Sequence, residues 1–363
     1  VGSEMCIRDR VNAVKHFISI FSLMAFLFLM LSKAGQLARP VDGDSDVWAD
    51  YYAEADNTID TVLIGSSAMY RYWIPVQAYS EQNFTSALIA SAGQDIRLAP
   101  YIMEEAVKSQ NVDLFVVELR SAVFRGNIDQ INKDNLNYNL EVLVTGMNPS
   151  FTKYEMIQKY YQADEVQKIK LMFPILMYHD NLVQYDSELI IDRMDTTADE
   201  YKFARQVSKI TPLKKPVLTA SDETYMSDEA LGYIDDIQKK ADELGIRVLF
   251  LSTPYALTAK QGAIQLELDS YLEGKGYDYL DLNLYIDDME LDYSTDFYNK
   301  RHTNISGAKK VTSYLAKYIK DNYDLSAELN EEQKQSWTDA ENAWSSEEEE
   351  LLNEWAKYQK KGE

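Results

Sequence analysis

The chain has 363 residues and a formal net charge of −23 at neutral pH. Such an acidic composition excludes the basic, phosphate-neutralising surface on which nucleic-acid binding depends. The sequence holds one cysteine, Cys6, and this excludes an internal disulfide framework and a thiolate metal site in the folded body. The length is compatible with one α/β domain that carries appendages.

The amino terminus contains two unusual segments. Residues 1–10 begin on Val1 and resemble translated adapter sequence, so we predict that they are not native and leave them out of the fold. Residues 17–31 are apolar and lie between Lys15 and Lys33. We predict a membrane-targeting segment over residues 11–36, which is either an uncleaved anchor whose lysines snorkel or a signal peptide cleaved near Ala34. Both alternatives predict an extracytoplasmic body.

Short apolar segments bounded by turn or polar residues recur after the amino-terminal segment. They predict buried parallel strands at residues 61–64, 86–90, 114–117, 247–251 and 277–282. Helical spacing covers residues 98–110 and 227–244; Ser227 is a candidate cap for the second helix, and Gly245 follows it. Strands that alternate with helices predict an α/β fold, a three-layer α/β/α sandwich around a five-stranded parallel sheet over residues 45–325.

A long segment, residues 124–226, interrupts this alternation. Its helical pieces, around residues 154–161 and 165–177, do not alternate with strands. We therefore predict a helical insertion over the carboxyl edge of the sheet, where insertions often shape a substrate cleft.

The composition changes again in the tail, residues 326–363. Ser346 and Glu349 have the spacing of a capping box. Trp337, Trp344 and Leu351 recur every seven residues, which predicts a small helical hairpin packed on the body or on a partner. The alternative is an acidic, solvated tail with a weakly apolar face.

A serine motif directly follows the first predicted strand. Open α/β sheets present reactive groups at the carboxyl ends of their strands, and Gly65-Ser66-Ser67 stands at such a position. Ser67 is therefore a candidate nucleophile. The alternative is a serine that only caps the following helix.

Histidine is the commonest general base near neutral pH, and the sequence has three. His16 belongs to the membrane-targeting segment. His179 lies in an apolar part of the insertion, which is typical of a structural or cleft-lining residue. His302 precedes Asn304, a candidate cap for the last helix of the domain. We predict that His302 is the base.

These motifs resemble those of a known superfamily over about residues 60–322. The sequence Gly65-Ser66-Ser67 and its following alanine resemble the Gly-Asp-Ser-Leu opening block of the SGNH/GDSL hydrolases, and His302 with its Asn-x-x-Gly-Ala sequel resembles their final block. The resemblance implies a parallel sheet between helices and ester cleavage or transfer through a serine. The anchor, the insertion and residues 296–302 are most similar to membrane-tethered members, the D-alanyl-lipoteichoic acid biosynthesis and alginate O-acetylation groups, which help acylate cell-surface polymers.

The resemblance also implies roles for particular residues. Ser67 would be the nucleophile, and its backbone N–H would be one oxyanion donor. Gly93 falls where the family has its second-block glycine, whose N–H is another donor. His302 matches the catalytic histidine. Donors of this kind typically contribute about two to three orders of magnitude in rate each.

Two positions depart from the family pattern. Where the third block supplies an asparagine, this chain has Glu118 and then Arg120. Arg120 either supplies the missing positive character or pairs with an acid such as Glu118. The aspartate expected three residues before His302 is Asn299. We prefer Asp296 over Asn299 as the group that orients His302, because a serine hydroxyl needs a stronger base than a thiol does.

Aromatic residues cluster just after the candidate nucleophile. Tyr70, Tyr72 and Trp73 are expected to pack in the core, and the alternative is stacking on sugar rings in a cleft. His179 is the further candidate for a cleft residue. We find no glycine-rich phosphate loop, metal-spaced His/Cys set or Rossmann fingerprint in the sequence, so we expect chemistry without a cofactor.

Two functional hypotheses follow. The first is a membrane-tethered, extracytoplasmic serine esterase or O-acyltransferase that acts on acyl groups of a cell-surface glycan or polymer, with a membrane acyltransferase as a partner. The second is a catalytically impaired member of the same fold that binds or assembles the polymer. The departures at Asn299 and in the third block favour the second hypothesis.

Overall fold

The computed structural model describes residues 2–41, 44, 46–125, 133–194 and 199–362. Parts of the predicted insertion, residues 126–132 and 195–198, and residues 1 and 363 lie outside the described residues. The helices, in chain order, are α1 (Gly2–Ala38), α2 (Val47–Ala53), α3 (Ser67–Tyr70), α4 (Pro75–Gln82), α5 (Ala99–Ala106), α6 (Arg120–Arg125), α7 (Lys133–Thr145), α8 (Phe151–Tyr160), α9 (Glu165–Met172), α10 (Ile175–Tyr178), α11 (Asn181–Gln184), α12 (Ser187–Met194), α13 (Asp228–Leu244), α14 (Ala259–Lys275), α15 (Ile305–Asn322) and α16 (Glu331–Gly362).

The central element is a five-stranded sheet in which all neighbouring strands are parallel. Its strands are β1 (Thr61–Gly65), β2 (Ser86–Ala90), β3 (Leu114–Glu118), β4 (Arg247–Ser252) and β5 (Tyr279–Asp281), in the order β2-β1-β3-β4-β5. A separate antiparallel pair consists of β6 (Phe297–Asn299) and β7 (His302–Thr303). The predicted α/β class and the five-stranded parallel sheet are confirmed.

The burial of the strands explains why they could be predicted from the sequence. Every residue of β1, β2 and β3 is buried, as expected for strands covered on both faces. Strand β5 is shorter at its start than predicted because Tyr277 is engaged in the carboxyl-terminal cap of α14. Gly276 has a positive φ of 68° there, and the Tyr277 N–H donates to the Leu272 carbonyl.

Helix α13 shows the predicted signals at both ends. The Ser227 hydroxyl accepts a hydrogen bond from the Ala230 N–H, and Gly245 ends the helix with a φ of 69°. The buried stripe of α13 faces the core and consists of Ala230, Ile234, Ile237 and Ala241. The two caps therefore define the extent of this helix, and the amphipathic pattern defines the face that it buries.

All regular structure in the described part of the insertion, residues 133–194 and 199–226, is helical. The stretch predicted as one helix over residues 165–177 is divided into α9 and α10. Pro174 stands at the break and precedes the first residue of α10. Proline lacks the N–H that would continue α9, so the chain turns at this point.

Within the described ranges, one helix is long and apolar enough to cross a membrane, over Asn12–Ala38 of α1. Its side chains are exposed along most of this length; Phe17 and Phe21, for example, are 70% and 66% exposed. The last turns of α1 pack against the insertion.

The tail is a single continuous helix, α16, which packs against α4 and α15. Trp337 and Trp344 are buried, so the solvated-tail alternative is wrong at these positions. The predicted hairpin and the capping box at Ser346 are also wrong, because Ser346 lies inside α16. The capping box forms instead between Asn330 and Gln333, whose side chains each accept the other's backbone N–H.

Candidate functional site

Ser67 is the first residue of α3, directly beyond β1. The preceding residue, Ser66, performs the capping role, since its hydroxyl accepts a hydrogen bond from the Ala68 N–H at 3.2 Å. Gly65 allows this tight turn: a Cβ there would lie 3.0 Å from the Cβ atoms of both Glu118 and Met69. The Ser67 hydroxyl is therefore left available for another partner.

That partner is His302, 235 residues away in the chain. The His302 Nε2 atom lies 2.8 Å from the Ser67 Oγ atom. His302 opens β7, and the predicted cap of the next helix forms, because the Asn304 side chain accepts from the Gly307 N–H. The structure thus brings together the two residues that the sequence singled out as nucleophile and base.

The other ring nitrogen of His302 lies near an amide oxygen and a hydroxyl group. Nδ1 lies 3.2 Å from the Asn299 Oδ1 atom and 3.2 Å from the Tyr298 hydroxyl. The Arg301 N–H donates to the same Asn299 oxygen at 2.8 Å, which fixes the amide with its oxygen toward the imidazole. This arrangement favours a proton on Nδ1 and a lone pair on Nε2, the tautomer that can accept the Ser67 proton.

Tyr298 also holds the imidazole from its flat side. Its ring stacks on the His302 ring with centroids 5.4 Å apart and an interplanar angle of 12°. The Arg71 guanidinium lies 5.7 Å from the centre of the Tyr298 ring. Sequence reasoning missed Tyr298 and Arg71, and the adjacency of Tyr298 to Asn299 was the one available signal.

The prediction that Asp296 orients His302 is wrong. The Asp296 carboxylate is buried and accepts hydrogen bonds from Ser306 and Lys310, both at 2.8 Å, and from the Asp292 N–H. The register of the β6–β7 pair is the physical reason, because it sets Asn299 opposite His302. Asp296 instead stabilises the start of α15.

Ser67 and His302 open onto a cleft of about 170 Å³. Its lining residues are Ser66, Ser67, Gly93, Gln94, Arg120, Ser121, Arg301 and His302. Gly93 has a positive φ of 65°, and its carbonyl accepts a hydrogen bond from the Asn139 side chain at 2.7 Å. Asn139 belongs to α7, so the insertion helps to hold the cleft wall that carries Gly93.

Both interpretations of Arg120 have support. It lines the cleft, and its Nε atom also lies 3.8 Å from the Glu118 Oε1 atom. The guanidinium further donates to Thr253 at 2.6 Å and to the Arg301 carbonyl. Both terminal nitrogens of Arg120 are engaged in these bonds, and its buried Nε atom has no hydrogen-bond partner among the described residues. Arg120 therefore acts on the cleft mainly through its positive charge.

The electrostatics of the site keep its base uncharged. Burial, followed by the charges of Arg120, Arg71 and Arg301, lowers the pKa of His302 to about 3. A neutral imidazole has the lone pair needed to accept the Ser67 proton, although a pKa this far below neutrality also makes it a weak base. The same cations favour an anion that forms nearby, so the site is electrostatically suited to an oxyanion.

The pKa of His302 leads to an expected pH profile. Only the unprotonated imidazole acts as a base, and a pKa near 3 leaves it in that form throughout the mildly acidic range. We expect kcat/KM for a nitrophenyl ester to stay level from about pH 8 down to about pH 5. A profile that falls with a midpoint near the ordinary histidine value of about 6.5 would contradict this expectation.

The remaining candidates for the cleft lie elsewhere. Trp73 is fully buried and donates to the Ser86 hydroxyl, so the packing interpretation holds and sugar stacking by Trp73 is wrong. Tyr70 is also buried, and its ring lies under the Arg205 guanidinium at 4.4 Å. His179 is on the exposed surface of the insertion, 3.3 Å from Asp180, and is not among the residues that line the cleft.

No family model matches the chain, and no curated protein matches it. A functional assignment therefore has to come from the geometry of Ser67 and His302.

Proposed function

We propose that this protein is a serine-dependent esterase or O-acyltransferase that α1 tethers to a membrane, with the body on the extracytoplasmic side. The observation that carries the proposal is the 2.8 Å contact between the Ser67 Oγ and His302 Nε2 atoms at the carboxyl end of β1. Nucleophile and base at hydrogen-bond distance, with a third group behind the base, are the signature of an activated serine.

The proposed reaction has two steps. His302 takes the proton of Ser67 as the hydroxyl oxygen attacks the acyl carbon, and the ester bond breaks as the proton passes to the leaving alcohol. Water or a sugar hydroxyl then attacks the acyl-enzyme, and His302 again takes and returns the proton. The proposed oxyanion donors are the backbone N–H groups of Ser67 and Gly93, in the field of Arg120.

The arrangement of the sheet supports a finer assignment to an SGNH-type sandwich. Strands β2, β1 and β3 are neighbours, and their carboxyl ends lead to Gly93, Ser67 and Arg120 respectively. His302 joins them from the start of α15. We propose that these four positions correspond to the blocks of that superfamily, with Arg120 in the third and Asn299 behind the histidine.

The position of α1 supports a substrate at a membrane surface. The Asp44 carboxylate accepts a hydrogen bond from the Ala92 N–H at 3.0 Å, next to Gly93 in the cleft. Asp44 is six residues beyond the end of α1 at Ala38, and a chain of that length spans at most about 20 Å. We propose that the substrate is an acylated glycan or polymer at the cell surface, with a membrane acyltransferase as the source of acyl groups.

A second candidate function is supported by Asn299. An amide behind the histidine stabilises an imidazolium less than a carboxylate does, and a catalytically impaired protein that binds or assembles the polymer fits this feature. The two candidates differ in whether an acyl-enzyme forms.

The test uses the full-length chain in lipid nanodiscs, incubated with nitrophenyl acetate or a D-alanyl ester. The esterase or transferase proposal predicts that intact-protein mass spectrometry detects one acyl group on Ser67 and that nitrophenol is released. Release that accelerates when a sugar alcohol is added, together with an acylated product, indicates transfer; release that does not respond indicates hydrolysis. Folded protein that never acquires an acyl group would contradict the proposal and favour the second candidate.

A further inference from the structure

The insertion exposes several large apolar side chains near the end of α1. Val166, Ile169, Leu176 and Val183 are 62%, 56%, 41% and 88% exposed. We call these four residues the insertion face. They belong to the consecutive helices α9, α10 and α11; α10 and α11 pack against α1, and α9 packs against α10. Apolar side chains exposed beside an apolar helix indicate a surface that is covered in the working state.

The insertion is fixed to the carboxyl-terminal end of α1. The Asn181 side chain donates to the Ala38 carbonyl at 2.9 Å, and Arg193 donates to the carbonyls of Leu37 and Pro40 at 3.0 and 2.9 Å. These bonds engage carbonyls at and just beyond the end of α1. The position of α1 therefore dictates the position of the insertion.

Two packing contacts set the level of the insertion along α1. The Phe28 and Phe173 rings meet edge to face, with centroids 5.8 Å apart. Nearer the end of α1, a Cβ on Gly35 would lie 3.3 Å from the Pro174 Cδ atom. The turn between α9 and α10 thus runs alongside the last turns of the apolar helix.

The position of the apolar run in α1 gives the depth of this contact in the membrane. The apolar run of α1 ends at residue 31, shortly before Lys33, and this places the boundary of the membrane core near residue 31. Phe28 is then about 4.5 Å inside the boundary, at 1.5 Å per residue. Phe173, which packs on Phe28, lies at the level where lipid headgroups meet acyl chains.

We propose that α9, α10 and α11 lie in the membrane interface and that the insertion face is buried among lipids. The occupant is a lipid surface because the insertion face lies beside the exposed apolar side chains of α1. Lipid solvates both sets of apolar side chains better than water does. The inference rests on the tethering part of the proposed function and is independent of the serine chemistry. It gives the insertion a role in orienting the cleft relative to the membrane.

The test measures lipid contact at single sites in the full-length chain. Cys6 is replaced by serine, and a fluorophore is attached to Leu176→Cys or Val183→Cys in nanodiscs whose lipids carry a nitroxide high on the acyl chain. For the deeper control site on α1, the nitroxide is placed near the end of the acyl chain. Phe21→Cys on α1 is the positive control. Leu284→Cys is the matched negative control, because Leu284 is likewise accessible, with 64% of its surface exposed. It follows β5, one edge strand of the sheet, whereas Asp44, which follows α1, contacts the chain just after β2, the opposite edge strand.

The proposal predicts quenching at positions 176 and 183 comparable to that at position 21, with none at position 284. Quenching at position 21 alone would overturn the proposal while leaving the anchor in place. If the label at position 176 were in that case also protected from aqueous quenchers, a protein partner would cover the insertion face. Loss of quenching at position 21 as well would overturn it together with the tether. Neither result bears on acylation of Ser67, which is measured separately.

Discussion

Replacing Ser67 by alanine is expected to lower ester turnover by a factor on the order of 10⁴ or more, because the hydroxyl that His302 contacts at 2.8 Å is removed. We do not expect the neighbouring Ser66 to substitute, since its hydroxyl caps α3 and the hydroxyl that contacts His302 belongs to Ser67. The measurement is kcat/KM for a nitrophenyl ester in the native and variant proteins, with circular dichroism as a check that both are folded.

The matched control is Ser121→Ala. Ser121 lines the same cleft, and its buried hydroxyl has no hydrogen-bond partner among the described residues. We expect this variant to retain turnover near the native level. Equal losses in the two variants, or a Ser67→Ala protein that still turns over ester at the native rate, would remove Ser67 from the proposed reaction.

Replacing Gly307 by alanine is expected to destabilise the fold by about 3 kcal/mol. A Cβ at this position would lie 2.4 Å from the Asp296 carbonyl oxygen and 2.9 Å from the Thr303 Cγ2 atom. The Asp296 carbonyl is held by the Asn304 N–H at 3.0 Å, so the backbone itself has to move. This movement displaces β7 and His302, and we expect ester turnover to fall with stability.

Gly232→Ala is the control, and its expected effect on stability is opposite to that of Gly307→Ala. Gly232 lies in the middle of α13, and no heavy atom of the described residues outside its own helix backbone and chain neighbours is within 4 Å of its Cβ position. Alanine is favoured over glycine inside a helix by about 1 kcal/mol, so this variant should be more stable than the native protein. Thermal unfolding of both variants checks the pair, and a Gly307→Ala protein that melts at the native temperature would show that the start of α15 is not packed as described.

The sheet and the contact between Ser67 and His302 could be predicted from the sequence. The runs that form β1, β2, β3 and β4 are buried on both faces, so their apolar residues are continuous and their ends are sharp. A serine after β1 and a histidine before α15 are recognisable because strand ends and helix caps have local sequence signals.

The surroundings of His302 could not be predicted in the same way. Strands β6 and β7 have three and two residues, too few for a periodic pattern. Their register sets Asn299 opposite His302, and a rule based on acidity alone pointed to Asp296 instead. Tyr298 stacks on His302 through the same pairing. These contacts depend on tertiary structure that no local signal encodes.

The tail illustrates a different limit. Its heptad of Trp337, Trp344 and Leu351 correctly indicated an apolar face, but Ser346 and Glu349 suggested a helix start that does not form. The helix begins earlier, where Asn330 and Gln333 form its cap. It continues past Ser346 because the buried Trp337 and Trp344 hold it against the body. Packing against α4 and α15 thus outweighs a local capping signal.

The most direct test of the account is the rate at which a fluorophosphonate adds to Ser67, compared between the native protein and His302→Gln. Peptide mass spectrometry locates the adduct. The 2.8 Å contact predicts a single adduct on Ser67 in the native protein and a rate at least about 100-fold lower in the folded variant. Equal rates in the two proteins, or folded native protein that stays unlabelled, would contradict the claim that these two side chains act together.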